Sequence, residues 1–369
     1  LIVKQFIIGV AILVMVALVG CSQTKEELSV EITQQLEKNS KVHGIPAQAL
    51  VIMHNQEVLY RNSVGVRDIE NGLPVTNKSI FPIYSVSKLF ASTLVLQLYE
   101  SGQLDLAAPA SKYVSTLPSS WRDIRVEQFL NHASGVPEYY GYKNGEYEFP
   151  RTIEEAFNRM KDKGLSFSPD TQMQYNQTNY LVIKAVLEAI TDMSYYELVN
   201  KKIIKPLGLK ETWFGLKEVP KEHLVSSYLP ESGGGYLKNE VHFPEYAISH
   251  SDAYSSLDDL SKFMSSLAQG LLISQQSLVE LWRPYRLSDG DEGYFSTGWD
   301  YNRAGGWHEV GHDGGTLVRV RILFQSSLDD HYIIVYLTNG NKDGVWSRTL
   351  VDSVQNYVMP GLFSRIPIN

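Results

Sequence analysis

The chain has 369 residues, 43% of them hydrophobic and 11% aromatic, enough to bury one large core or two closely packed ones, which excludes a disordered chain. Its formal net charge is -8 and it contains no run of five or six basic residues, so a nucleic-acid partner finds no electrostatic footprint. Cys21 is the single cysteine, which excludes an intramolecular disulfide and leaves the core to hold the fold.

After Lys4 the run from Phe6 to Gly20 is apolar. At about fifteen residues it is shorter than the roughly twenty of a membrane-spanning helix and suits the core of a secretory signal peptide. It ends in Leu18-Val19-Gly20-Cys21-Ser22, which resembles the lipobox of bacterial lipoproteins. The resemblance implies a signal peptide over residues 1–20 and lipidation of Cys21 as the mature N-terminus. It further implies an exported protein, lipid-anchored in the bacterial cell envelope and facing the periplasm from the outer membrane in a Gram-negative cell.

From about Glu26 to Lys41, Leu28, Ile32 and Leu36 recur four apart, the spacing of a helix that leads into the folded part. Residues 47–65 read as two strands joined at the polar His54-Asn55-Gln56-Glu57, a hairpin. Residues 72–79, Gly-Leu-Pro-Val-Thr-Asn-Lys-Ser, are turn chemistry. Ser85-Val86-Ser87-Lys88 then opens a buried helix marked by Leu89, Phe90, Leu94, Val95 and Leu98, with Gly102 able to cap its end. Three residues apart, Ser85 and Lys88 share a helix face, so the amine can reach the hydroxyl. In a desolvated pocket the lysine pKa falls, and a neutral amine can take the serine proton. The spacing alone is weak, since Ser22 and Lys25 also satisfy it, but Ser22 lies in the linker after Cys21 and Ser85 at a loop-to-helix junction. Residues 102–270 carry mostly helical patterns broken by loops, among them the nearly all-apolar stretch 178–192. Residues 138–149, rich in tyrosine, read as a ring-rich loop beside a cleft or on the surface. Strand patterns return at 296–302, 316–324 and 331–339, and a helix closes the chain at 345–358. Strands at both ends around a helical middle predict an α+β fold, with one antiparallel sheet built from both chain ends and flanked by helices.

Residues 305–315 contain His308-Glu309-Val310-Gly311-His312, a literal match to the H-E-x-x-H pattern of zinc peptidases. That pattern works on a helix, and five of these eleven residues are glycine. The next stretch alternates Val318, Val320, Ile322 and Phe324 with Arg319 and Arg321, the pattern of a half-buried strand, so the motif is expected in a turn entering it. Val318 stands where the extended motif needs a third histidine, and no glutamate follows Glu309. His308 and Glu309 are expected as surface residues of that turn, and no metal is expected.

The stretch Phe81–Phe90 resembles the active-site region of the serine β-lactamase and penicillin-binding protein superfamily, in particular the class C β-lactamase-like serine hydrolases. Residues 45–65, 126–139, 174–192, 205–214, 254–263 and 311–324 agree with it in order, so the resemblance runs from about residue 44 to 358. It implies a β-lactamase/transpeptidase-like fold, with a hydrolase domain over residues 41–365 that includes a helical subdomain at about 102–270, preceded by the lipidated segment 21–40. It implies Ser85 as the acyl-accepting nucleophile, Lys88 as its proton partner and Tyr175, at the family's Y-x-N element, as a sharer of the proton. Gln177 stands where asparagine is usual, which lengthens an amide that touches lysine and substrate. His312-Asp313-Gly314 falls at the family's third element, K-T-G or H-x-G, making His312 and Gly314 substrate-binding residues. The backbone N–H groups of Ser85 and Gly315 are implied as the oxyanion hole. Ser251-Asp252 replaces a common G-G pair, and Asn131 replaces a threonine in a structural segment. The implied activity is hydrolysis of an ester or amide, such as a D-amino-acid peptide or a peptidoglycan fragment. It proceeds through an acyl-enzyme without cofactor, with weak β-lactamase action at most because His312 replaces lysine. A catalytically silent binding lipoprotein of the same fold is the alternative, and a zinc peptidase the third.

Overall fold

The computed structural model of the chain describes residues 25–143, 146–342 and 344–359. The apolar run and Cys21 lie outside them. The first helix, α1 (Lys25–His43), has Glu26 and Glu27 in its first turn and Lys41 and His43 in its last, charges that complement its dipole. Its predicted face holds: Ile32 and Leu36 are buried and Leu28 is half-buried. The predicted hairpin follows as β1 (Ala47–His54) and β2 (Glu57–Asp68), with a short β3 (Leu73–Pro74) beyond it.

The C-terminal part supplies β4 (Phe295–Ser296), β5 (Trp299–Ala304), β6 (Trp307–Gly314), β7 (Val318–Phe324) and β8 (His331–Thr338). Together with the hairpin they make one eight-stranded sheet in the order β4-β5-β6-β7-β8-β1-β2-β3, every pair antiparallel. The seam between the chain ends is β1 on β8, with Val51 opposite Val335. Both strands are apolar on both faces because both faces are covered. Leu50 and Ile52 pack with Ile334 and Tyr336 against α1 and against Leu350, Val351 and Val354 of the closing helix. Ala49, Val51, Ile333 and Val335 face the larger core on the opposite side. Burying such side chains contributes about 1.5–3 kcal/mol each.

The helices that position the site lie on that larger core. They are α2 (Ser87–Glu100), α3 (Thr178–Thr191) and α4 (Leu257–Ala268), with α5 (Ser347–Val358) beside α1 on the other face. Gly102, at φ +72, ends α2 as expected. The middle of the chain is less uniformly helical than its pattern suggests. It holds two small hairpins, Gly141–Lys143 with Glu146–Glu148 and Tyr228–Glu231 with Gly235–Lys238. A three-stranded sheet also forms there from Phe81–Pro82, Ala253–Ser255 and Thr212–Phe214.

Two expectations about the third element need correction. The stretch 307–314 is the strand β6, not a turn, and the turn is made by Gly305 and Gly306, both at positive φ. His308 is half-buried and bonded to the Tyr301 hydroxyl at 2.7 Å, while Glu309 is buried rather than on the surface. The strand β7 is buried on both faces instead of one, because α5 covers the side carrying Arg319 and Arg321. Those guanidiniums are tolerated there through pairing. Arg319 reaches Glu309 at 2.8 Å and Asp313 at 2.9 Å, and Arg321 reaches Asp313 at 2.6 Å and Asp300 at 3.2 Å. The α5 residue Ser347 donates to Asp313 at 2.7 Å, which joins the helix to the same network.

Candidate active site

Ser85 sits in a single 3-10 turn, Tyr84–Val86, and α2 starts only at Ser87, two residues later than the motif implies. Tyr84, which opens that turn, has a φ of +46, in the left-handed region. The lysine still reaches back along the helix face. Lys88 Nζ lies 3.5 Å from Ser85 Oγ, 2.6 Å from Gln177 Oε1 and 2.9 Å from the His250 carbonyl oxygen. Its side chain is fully buried. Burial pushes its pKa well below the ordinary lysine value, and the carboxylates of Glu138 and Asp300 pull it part of the way back.

The three partners define a proton inventory. Both amide-type oxygens can only accept, so a neutral amine spends its two N–H bonds on Gln177 and His250. That leaves one lone pair, and the remaining neighbour is the Ser85 hydroxyl, which can donate to it. Gln177 is itself held by a partly buried carboxylate: its backbone N–H donates to Glu138 at 2.9 Å, as does that of Tyr139 at 3.1 Å. Burial raises the Glu138 pKa, against which these N–H groups and Lys88 act. With its extra methylene the Gln177 amide still reaches the lysine, at 2.6 Å.

Tyr175 places its ring under the amine, with Lys88 Nζ 4.9 Å from the ring centroid. Its hydroxyl is shielded from solvent and has no well-formed hydrogen bond. Burial raises its pKa, partly opposed by Ser85 and Gln177 beside it, so the phenol is protonated at neutral pH and able to donate. His312, on β6, stands 5.9 Å from that ring, centroid to centroid, and 6.0 Å from Phe295. Burial lowers its pKa, with Asp300 pulling the other way and Lys88 adding to the fall. Its Nδ1 lies 2.6 Å from the Asp313 carbonyl oxygen, which can only accept, so Nδ1 carries the proton and Nε2 presents a lone pair. Nε2 is buried without a partner. The geometry makes His312 a neutral acceptor.

The end of β6 runs against the serine turn. A Cβ on Gly314 would lie 2.4 Å from the Ile83 carbonyl oxygen, and one on Gly315 would lie 3.1 Å from the Tyr84 ring. At Gly314 only glycine admits this approach, which brings the backbone after His312 alongside Ser85.

The H-E-x-x-H reading fails on the same geometry. On a strand His308 and His312 are about 13 Å apart, four steps of roughly 3.3 Å, whereas zinc ligands sit about 2 Å from one ion. Glu309, between them, points to the opposite face and pairs with Arg319 at 2.8 Å. Among the described residues no group of three histidine, cysteine or acidic side chains is placed to hold a metal.

Three contributors were missed from sequence. Glu138 had a signal, a lone acid in the otherwise uncharged run 132–142. Asp300 had none, lying in a strand pattern. His250 acts through its main-chain carbonyl, to which side-chain identity gives no clue. Its buried ring is fixed by the Ser251 hydroxyl at 2.7 Å and the Tyr139 hydroxyl at 3.1 Å. Through Tyr139 this loop joins the tyrosine-rich stretch, where Tyr140 and Tyr147 pack edge to face at 5.4 Å. Asn131 is structural, its amide donating to the Glu127 carbonyl at 2.9 Å.

A serine on a 3-10 turn and a lysine in the first turn of the helix that follows, beside a tyrosine and a glycine-bearing strand, define the class: a serine hydrolase built on a mixed helix and antiparallel-sheet fold. Comparison with known proteins gives the family. Residues 32–350 match the model described as Beta-lactamase, and the chain belongs to that family. Among curated proteins it is similar to Penicillin-binding protein 4* of Bacillus subtilis, 23% identical over 316 residues that cover 81% of this chain and 69% of the relative. It is also similar to the teichoic acid D-alanine hydrolase of Staphylococcus aureus, 27% identical over 227 residues, 61% of this chain and 55% of that one. Its fold matches the octameric penicillin-binding protein homologue of Pyrococcus abyssi, with a TM-score of 0.76 at 22% identity over 93% of this chain and 79% of the other. It equally matches the D-amino acid amidase of Ochrobactrum anthropi SV3, with a TM-score of 0.75 at 23% identity over 90% and 99% of the two chains.

Proposed function

We propose that the protein is an exported, lipid-anchored serine hydrolase that cleaves an ester or amide of a D-amino acid, such as a D-alanyl ester, a D-amino-acid peptide or a peptidoglycan fragment. The observation that carries this is the Lys88 amine, buried and flanked by two carbonyl-type acceptors, with its lone pair left for Ser85. In this reading Lys88 takes the Ser85 proton as Oγ bonds to the substrate carbonyl carbon. The resulting oxyanion is held by the N–H groups of Ser85 and Gly315. Collapse breaks the bond to the leaving group, which receives the proton through Lys88 and the Tyr175 phenol. Water then attacks the acyl-enzyme, and its proton returns by the same route as Ser85 is released.

The substrate class draws on the teichoic acid D-alanine hydrolase and D-amino acid amidase among the relatives. It also draws on the charge around the site, where Glu138 and, from the Arg321 side of the sheet, Asp300 act on Lys88 through their fields and His312 is neutral. Such a field disfavours a substrate carboxylate. The anchor draws on the apolar run 6–20 and Cys21. The test compares wild type with Ser85→Ala on a small activated D-alanyl ester, with a chelator present throughout. Turnover by wild type alone is the expected result; equal turnover by both proteins would remove Ser85 from the nucleophile's role, and inactivity of both would leave a silent binder.

A further inference from the structure

The residue before the candidate nucleophile is a tyrosine in a conformation that L-residues rarely adopt. Tyr84 has a φ of +46. A bulky residue stays in the left-handed region only where its surroundings over-determine it, and such outliers gather at functional sites. Here the surroundings can be named. The Tyr84 hydroxyl donates to Ser227 Oγ at 2.7 Å and accepts from the Asn239 amide at 3.0 Å. Its ring lies against Gly315, where a Cβ would come within 3.1 Å of it. Its carbonyl accepts from the Ser87 hydroxyl, whose oxygen accepts in turn from the Ala253 N–H at 3.1 Å. Ser227 and Asn239 flank the hairpin of Tyr228–Glu231 and Gly235–Lys238, and the Asn239 N–H closes its base on the Ser227 carbonyl at 2.8 Å. One side chain thus links the serine turn, the glycine strand and a hairpin about 140 residues downstream.

We propose that Tyr84 is a positioning residue. Its tethered hydroxyl and its ring beneath Gly315 set the Tyr84–Ser85 peptide so that the N–H groups of Ser85 and Gly315 face one substrate oxygen. The base of the hairpin, through Ser227 and Asn239, is the outer anchor of that tether. The inference rests on the reading of Ser85 as nucleophile. It explains why strain is held at this residue: relaxing φ to a helical value would swing the Ser85 N–H and carry Oγ with it. A merely structural tyrosine would support stability and leave the chemistry of folded molecules alone.

The test measures kcat, KM and Tm for wild type, Tyr84→Phe, Asn239→Ala, the double variant and Ser85→Ala on the activated ester. Loss of the tether lowers kcat of Tyr84→Phe roughly ten- to a hundredfold with KM within about twofold, because misplaced donors act on the transition state. Asn239→Ala falls in the same direction by less, and the double variant is no worse than Tyr84→Phe, since both break one link. A kcat within about twofold of wild type in both single variants, or a change confined to KM or Tm, overturns the proposal. Should Tyr84→Phe fail to fold, Asn239→Ala and Ser227→Ala decide by the same kcat criterion. Turnover surviving in Ser85→Ala overturns the nucleophile reading instead, whereas a dead Ser85→Ala beside a fully active Tyr84→Phe overturns only the tether.

Discussion

Lys88 has to be uncharged to act as a base, and the residues around it divide into those that discharge it and those that restore its charge. Burial discharges it, while Glu138 and Asp300 favour the ammonium. The acid limb of the kcat/KM profile should report protonation of Lys88, since only the free amine can take the serine proton. Removing either carboxylate's charge lowers the lysine pKa further, so in Glu138→Gln or Asp300→Asn that limb moves to lower pH. A limb unmoved in both variants would mean that another group titrates. His312 leads to a second expectation. As a neutral acceptor it offers no charge to the carboxylate of a β-lactam, so cephalosporin turnover should be barely measurable. His312→Lys should raise the acylation rate by roughly ten- to a hundredfold, the worth of a charged hydrogen bond of about 1.5–3 kcal/mol. Rapid cephalosporin hydrolysis by wild type would contradict this. At this scale the sequence was informative where chemistry lies in side chains at fixed spacing, as with Ser85 and Lys88. It was silent where a main-chain oxygen does the work, as at His250, or where a distant strand delivers a charge, as at Asp300.

The element that brings His312 and Gly314 to the site is β6, and its neighbours explain how it is held. Glu309 and Asp313 on one face pair with Arg319 and Arg321 of β7, while His312 on the other faces Tyr175. Removing Arg319 leaves Glu309 and Asp313 to share Arg321, an excess of buried negative charge. Arg319→Met should therefore destabilise the protein by about 3–5 kcal/mol, measured by denaturant unfolding. A loss below about 1 kcal/mol would show that the network is not structural. The alternation of valine and arginine in β7 gave the strand correctly. It misjudged the exposure because the helix that covers the arginines, α5, comes later in the chain and its docking face is not visible in the strand's own pattern. The same limit applied to β6: five glycines argued rightly against a helix, but the strand came from pairing with β5 and β7, which no local propensity records.

For the molecule as a whole, the two chain ends meet at β1 and β8, and the helical middle lies on one face of the resulting sheet. This arrangement was legible because strand patterns cluster at both ends of the sequence. It places α1, which follows Cys21 closely, with α5 on the face away from the larger core. An anchor at Cys21 would hold the protein by that side. Expression with a labelled fatty acid should label the wild type and not Cys21→Ala, and the variant should leave the membrane fraction; equal labelling would dismiss the anchor.

The central claim, acylation of Ser85, is tested most directly by quenching the enzyme with acid during turnover of an activated D-alanyl ester and mapping the adduct by peptide mass spectrometry. The account predicts one D-alanyl group on the peptide containing Ser85, absent from Ser85→Ala and accumulating little in Lys88→Ala. An adduct on another residue, or turnover with no covalent intermediate under any quench time, would contradict it.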